Sequence, residues 1–156
     1  KPVFLPLQQI SAEGKWRDGA CLQTTASTCG PASCTSIVHF LGGKASEKEL
    51  AASAYSHQSG TEAWYLARSL RDKGFKVEFI FTDKPFEHKV ELPCLLGVKL
   101  PSGSGHFIPL LQRRQSDGKL LIADPLRGKQ WLSSSELHQQ YRFTPFHISI
   151  SKALTN

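Results

Sequence analysis

The sequence predicts an α+β fold in which an N-terminal helical half packs on a C-terminal antiparallel sheet. Apolar residues recur at helical spacing up to about residue 74, and alternate at strand spacing from residue 75. Short turns rich in Gly, Pro and Asp separate the later segments. Helices followed by strands are typical of the α+β class. The 156 residues suffice for one domain with its own core. We expect an arm over 1–20 that packs on a domain over 21–156.

The first predicted helix begins at Cys29 and ends before Gly42. Pro31 is tolerated in its first turn, because the missing N–H would be unpaired there in any case. Two glycines follow the last apolar residue and stop the helix. The stripe that faces the core consists of Cys34, Ile37, Val38 and Leu41.

Two more helices are predicted from their capping residues. Ser46, with Glu49 three residues later, forms a capping box that starts the second helix. Thr61 is expected to cap the third helix, which ends before Gly74.

Strands are predicted in the second half of the chain. They cover 75–81, 95–100, 106–112, 120–123, 130–132 and 143–150, with a short helix over 133–141 before the last. Pro109 places its strand at a sheet edge or at a bulge. A further short strand or arm is expected over 3–7.

Charge and hydropathy exclude several classes of protein. The net charge of +6 is moderate, and the basic residues are scattered rather than clustered in a run. We therefore expect no nucleic-acid site, although an anionic membrane or an acidic peptide would suit the charge. No stretch resembles a signal peptide or a membrane-spanning segment. The chain has no Met and opens with Lys. We expect a processed protein or an excised domain.

The four cysteines are too few for a disulfide scaffold, and their spacing does not suit a zinc site. Cys34 and Cys94 lie in apolar patterns and are expected to fill the core. The sequence leaves open whether Cys21 and Cys34 form a disulfide in an oxidising compartment.

Cys29 is the candidate nucleophile. A residue at a helix start meets free backbone N–H groups and the positive end of the helix dipole, which stabilise a thiolate. Gln23, six residues earlier, offers a side-chain amide that could donate to an oxyanion. The alternative is a buried structural cysteine.

A cysteine nucleophile needs a base, and the base needs an orienting group. His106 opens a predicted strand after a Gly/Ser turn, and Asp124 ends the next strand. If these strands pair, the carboxylate should approach Nδ1 of the ring. The alternatives are a polar loop histidine and a turn-capping aspartate before Pro125. The remaining histidines follow no comparable turn signal: His39, His57, His88, His138 and His147.

Taken together, these motifs resemble the bacteriocin-processing (double-glycine leader) peptidase family of papain-like cysteine peptidases. The resemblance runs from about Cys21 to Phe143. The motifs are Gln23-x5-Cys29-Gly-Pro-Ala, Leu41-Gly, Ser46 to Leu50, Gly60-Thr61, Gly74, Pro93-Cys, Gly105-His-Phe-Ile, Asp124-Pro-Leu-Arg-Gly and Ser133 to Leu137.

The resemblance implies a papain-like fold with the active site between its helical and sheet halves. It implies Cys29 as nucleophile, His106 as general base and then acid, Asp124 as orienting group and Gln23 as oxyanion donor. It further implies a bacterial peptidase that acts on a peptide or protein through a thioester and uses no metal or cofactor.

Two features differ from the transporter-fused members of that family. Thr28 stands where those members usually carry Asp, and the long N-terminal arm is more typical of stand-alone or membrane-attached relatives. We therefore expect a membrane-attached, periplasmic or exported domain, with the cytoplasmic face of an export system as the alternative. In the full-length chain it could be joined to a membrane protein or transporter. The sequence leaves open whether the substrate must carry Gly-Gly before the scissile bond.

Two other functions remain possible from the sequence. One is transfer chemistry of the kind performed by phytochelatin-synthase relatives, which also use Gln, Cys, His and Asp. The other is a papain-like domain that binds a peptide or partner without proteolysis.

Overall fold

A computed structural model describes residues 10, 12–82 and 90–153. Within these residues the helices are α1 (Cys29–Phe40), α2 (Glu47–Ser53), α3 (Ala63–Asp72) and α4 (Ser134–Gln140). The strands are β1 (Lys15–Arg17), β2 (Ala20–Leu22), β3 (Phe75–Phe81), β4 (Cys94–Lys99), β5 (Gly105–Arg113), β6 (Leu120–Asp124), β7 (Gly128–Leu132) and β8 (Arg142–Lys152).

The sheet is antiparallel throughout, with strand order β3-β8-β4-β5-β6-β7. A separate hairpin pairs β1 with β2 and contacts α1. The C-terminal strand β8 lies between β3 and β4, so it joins the strand that follows the helices to the rest of the sheet.

Apolar residues cover both faces of the sheet. On one face α1, α2 and α3 pack against alternating residues of the strands, with Ile37, Leu50 and Leu66 fully buried. On the other face Leu137 of α4 closes a second core over β4, β5 and β6. The predicted α+β arrangement, helices on an antiparallel sheet, is confirmed.

The predicted elements correspond to observed ones, with two corrections. Thr61 does not cap α3, because its hydroxyl bonds to that of Ser56 and the helix begins after Glu62. Pro109 does not lie in an edge strand, since β5 runs between β4 and β6. The alternative bulge is confirmed by the register shift between Leu110 and Gln112.

The four cysteines are all free thiols, so the open possibility of a bond between Cys21 and Cys34 is not realised. Cys34 and Cys94 are buried in the two cores as predicted. In the described part of the chain, no helix has the length and apolar character that a membrane crossing requires. The strand expected over 3–7 lies outside the described residues, and so does half of the arm over 1–20.

Candidate active site

The N-terminus of α1 presents Cys29 to a cleft between the helices and the sheet. Cys29 is the first residue of the helix and is half-buried, whereas the other three thiols are buried. Buried Cys21, Cys34 and Cys94 all have raised thiol pKa values, chiefly because burial disfavours the charged form. Cys29 is therefore the thiol that a solute in the cleft can reach.

His106 links this helix to the sheet. Its ring lies at the start of β5, is almost fully buried, and hydrogen-bonds to the side chain of Cys29. On the other side its Nε2 lies 2.9 Å from Oδ1 of Asp124 at the end of β6. The ring thus connects a sulfur and a carboxylate that come from different layers of the fold.

The expectation that the carboxylate approaches Nδ1 of His106 is wrong, because Nε2 makes that contact. The reason is the position of Cys29. With Nε2 turned towards Asp124 along the sheet, Nδ1 is the nitrogen left for the thiol at the start of α1.

Asp124 is held by three donors. Besides His106, the backbone N–H of Leu126 donates to Oδ1 at 2.8 Å and the hydroxyl of Tyr141 donates to Oδ2. Burial acts to raise the pKa of Asp124, but these hydrogen bonds outweigh it and the pKa is lowered. The carboxylate is therefore charged and fixed in orientation at neutral pH.

The contacts of His106 with Asp124 and Cys29 favour the protonated form of the ring. Burial opposes protonation, yet the hydrogen bonds and negative charge of Asp124, and those of Cys29, raise the pKa of the ring to about 9. An imidazolium beside a thiol stabilises the thiolate. This geometry is suited to nucleophilic attack by sulfur followed by proton donation from the ring.

Gln23 is tied to the turn after Asp124, and its side-chain amide bonds within its own loop. Its backbone N–H donates to the carbonyl of Pro125 at 2.9 Å, which ties it to the turn after Asp124. Its amide Nε2 donates to the carbonyl of Thr25 at 2.9 Å, and Oε1 is buried without a partner among the described residues. The structure brings together Cys29, His106 and Asp124, but gives no contact between Gln23 and Cys29.

The first turn of α1 offers other donors. Pro31 has no N–H, and the N–H of Ala32 bonds to the carbonyl of Thr28 at 3.0 Å. Thr28 precedes the helix, yet its side chain makes no capping hydrogen bond. The N–H groups of Cys29 and Gly30 are therefore the first-turn donors without an intrahelical acceptor.

The cleft beside Cys29 has a volume of about 300 Å³. Three glycines, Gly60, Gly97 and Gly105, are among the residues that line it. A Cβ on Gly97 would lie 2.8 Å from Oγ1 of Thr144, so no larger residue fits there without displacing the wall. The remaining lining residues are Ser59, Thr61, Val98, His106, Phe107, Thr144 and Phe146.

The sequence profile of the Peptidase C39 family matches residues 19–153. The chain belongs to this family. It is a cysteine peptidase, as the sequence predicted. No curated protein sequence matches the chain significantly.

Solved structures of C39 domains share the fold of this peptidase. The peptidase domain of Streptococcus ComA, described as a bifunctional ABC transporter involved in quorum sensing, superposes with a TM-score of 0.72 at 19% identity, over 84% of this chain and 96% of that one. A double-glycine-motif protease from an AMS/PCAT transporter, solved with its leader peptide, gives 0.72 at 18% identity, over 93% of this chain and 100% of that one.

A more distant neighbour has the same architecture. The N-terminal C39-like domain of the toxin secretion ATP-binding protein from Vibrio parahaemolyticus gives a TM-score of 0.59 at 13% identity, over 83% of this chain and 99% of that one. The predicted papain-like fold, with helices on one side of the cleft and the sheet on the other, is confirmed by these likenesses.

Sequence reasoning missed two side chains around the site of this C39 peptidase. Tyr141 follows α4 and donates to Asp124, and no local pattern marks a tyrosine for that role. Glu47 is fully buried and accepts hydrogen bonds from the loop that precedes Cys29. It opens α2 beside the capping box, where an acidic residue usually faces solvent.

Proposed function

We propose that this C39 peptidase hydrolyses a peptide bond by a Cys-His-Asp mechanism, with an exported or leader-bearing peptide as its substrate. The observation that carries the proposal is the position of His106, whose ring bonds both to Cys29 and to a buried, charged Asp124. The three side chains have the roles that acyl transfer requires: nucleophile, proton carrier and orienting anion.

Acylation starts from the thiolate of Cys29 and the imidazolium of His106. The sulfur attacks the carbonyl carbon, the C=O electron pair moves to oxygen, and the N–H groups at the start of α1 donate to that oxyanion. His106 then gives its proton to the amine nitrogen as the C–N bond breaks. A thioester on Cys29 and a free amine result.

Deacylation uses the neutral ring as a base. His106 removes a proton from water, the hydroxide attacks the thioester carbon, and collapse of the second oxyanion expels the thiolate. Asp124 keeps Nε2 of the ring engaged, so that Nδ1 stays directed at the sulfur and the reacting carbonyl.

The cleft supports a substrate with small residues before the scissile bond. Gly60, Gly97 and Gly105 line the cleft with Cys29, and Thr144 and Phe146 pack closely against Gly97 and narrow the cleft there. The AMS/PCAT relative is a double-glycine-motif protease solved with a leader peptide. We infer a similar leader-type substrate here, and we infer that the domain serves an export system.

Fluorogenic peptides test both parts of the proposal. A peptide with Gly-Gly before the scissile bond should be cleaved, and a matched peptide with Leu-Leu should be cleaved at least tenfold more slowly. Cys29→Ala and His106→Ala should abolish cleavage, whereas Cys34→Ala, at a buried thiol outside the site, should retain it. Cleavage by Cys29→Ala at the wild-type rate would refute the mechanism. Transfer to glutathione without peptide hydrolysis, or binding without turnover, would favour the alternative functions.

A further inference from the structure

We propose that Glu47 is a positioning residue of the active site. Its carboxylate holds the loop over 23–28 in a form that leaves the N–H groups at the start of α1 open to the oxyanion. The inference rests on the proposed function, because the oxyanion forms only if Cys29 attacks a carbonyl.

The surroundings of Glu47 are those of a fixed anion. It is 0% exposed, and it accepts hydrogen bonds from the backbone N–H of Thr24 at 2.8 Å, the hydroxyl of Thr24 at 2.9 Å and the hydroxyl of Thr28 at 2.5 Å. All three partners act as donors, which suits an ionised carboxylate that only accepts. A buried charge is costly unless it is hydrogen-bonded in this way.

The contact with Thr28 changes the start of α1. A threonine before a helix usually accepts from an N–H group of the first turn. Here Thr28 has φ −110° and ψ 27°, makes no such bond, and donates its hydroxyl to Glu47 instead. A normal cap would occupy the N–H of Gly30, one of the two donors available to an oxyanion. Glu47 therefore keeps that donor free.

The contact with Thr24 fixes the other end of the loop. Thr24 follows Gln23, whose backbone is tied to Pro125 at 2.9 Å beside Asp124. The carboxylate of Glu47 thus joins the chain next to the orienting aspartate to the chain next to the nucleophile. One buried group sets the relative position of both.

Substitutions at both ends of this contact test the inference. In Glu47→Gln the neutral amide oxygen is a weaker acceptor than the carboxylate for the N–H of Thr24 and the hydroxyl of Thr28, so Thr28 should turn back to cap α1. Cleavage of the Gly-Gly peptide should fall about 100-fold in kcat with less than a threefold change in KM, the scale for losing an oxyanion donor. Alkylation of Cys29 by iodoacetamide, which forms no oxyanion, should change less than threefold.

Matched variants separate positioning from folding. Glu49→Gln, on the same helix but exposed and paired with Lys73, should behave as wild type. Glu47→Asp should restore part of the lost kcat, because it retains the carboxylate. Thr28→Val should retain kcat, because valine cannot cap the N–H of Gly30, and it should restore kcat when it is combined with Glu47→Gln. Glu47→Asp keeps the test available if Glu47→Gln fails to fold.

Each outcome decides the inference. Parallel losses of cleavage, alkylation rate and thermal stability in Glu47→Gln, with no rescue by Thr28→Val, would overturn it in favour of a purely structural role. Wild-type kcat in Glu47→Gln, with Cys29→Ala inactive, would overturn the inference alone. If Cys29→Ala cleaves at the wild-type rate, the proposed function falls and the inference falls with it. A selective loss of kcat would support it.

Discussion

At the scale of single residues, the site depends on how strongly its neighbours bias the charge of His106. Asp124 lies 2.9 Å from the ring and is itself held by Leu126 and Tyr141. These contacts outweigh the cost of burying a charged imidazolium, so the ring holds its proton well above the pH at which a free histidine loses it. We therefore expect His106 to be an imidazolium in the resting enzyme at neutral pH.

Asp124→Asn should shift the pH dependence of cleavage. The substitution removes the charge that raises the pKa of His106 to about 9, so the alkaline limb of kcat/KM should move from near pH 9 to lower pH. The rate at neutral pH should fall about 10- to 100-fold, the kinetic equivalent of about 1.5–3 kcal/mol for a charged hydrogen bond. A pH–rate profile measures both. Asp117→Asn, in an exposed pair with Arg114, is the control, and an unmoved alkaline limb in Asp124→Asn would contradict the prediction.

Tyr141→Phe should destabilise the fold and weaken the site together. The hydroxyl is the partner of Oδ2 of Asp124, and its loss leaves a buried carboxylate oxygen unpaired. We expect the free energy of unfolding to fall by about 1–3 kcal/mol, together with a lower cleavage rate. Urea unfolding at pH 7 measures the first effect. Tyr55→Phe serves as the control because that ring is 62% exposed; equal stability of the two variants would refute this role of Tyr141.

At the scale of secondary structure, most elements could be predicted because their signals are local. Of the two bonds of the predicted capping box, Ser46 accepts the N–H of Glu49, whereas the Glu49 carboxylate pairs with Lys73. The start of α3 could not be predicted, since the hydroxyl of Thr61 is engaged by Ser56 through folding of the loop between two helices. The role that we propose for Glu47 could not be predicted for the same reason, because its hydrogen-bond partners Thr24 and Thr28 lie in another segment of the chain.

Gly30→Ala should disturb the contact between α1 and its neighbours. A Cβ at this position would lie 2.7 Å from Cδ1 of Leu66 on α3 and 3.4 Å from Cδ2 of Phe107 on β5. We expect a loss of about 1–3 kcal/mol in the free energy of unfolding, and slower cleavage because the adjacent Cys29 must shift. Urea unfolding and peptide cleavage measure these effects. If the clash is the cause, Gly30→Ala/Leu66→Ala should lose less stability than the sum of the single variants, and strict additivity would contradict it.

At the scale of the whole molecule, the helical half supplies the nucleophile and the sheet supplies the base and its anion. The pairing of β5 with β6, which brings the start of one strand near the end of the other, could be predicted from the turn between them. Which nitrogen of the His106 ring meets Asp124 could not be predicted, because that depends on where α1 packs against the sheet. Nor could the backbone bond of Gln23, because its partner is the carbonyl of Pro125 in a turn far along the chain.

The pH dependence of stability should reflect two buried histidines with opposite signs. The pKa of His106 is raised in the folded protein, so its contribution is complete below about pH 6.5 and is lost as the pH rises through about 9. The pKa of His147 is lowered by burial. Its ring nitrogens have no partner among the described residues. Its neutral form therefore favours folding above about pH 6.5, and that contribution is lost as the pH falls below this value.

Replacing His147 by an apolar residue should flatten the acid side of this profile alone. His147→Leu removes a ring of β8 that is protonated below about pH 6.5 in the unfolded chain but resists protonation in the folded sheet, where it pairs in register with Leu96 of β4. The free energy of unfolding should then fall less between pH 7 and pH 5 than in the wild type, while the loss above pH 7 persists. Urea titrations from pH 5 to pH 9.5 measure both limbs. His138→Gln, at an exposed position on α4, controls for removal of a histidine as such. An acid limb as steep in His147→Leu as in the wild type would show that other groups govern acid unfolding.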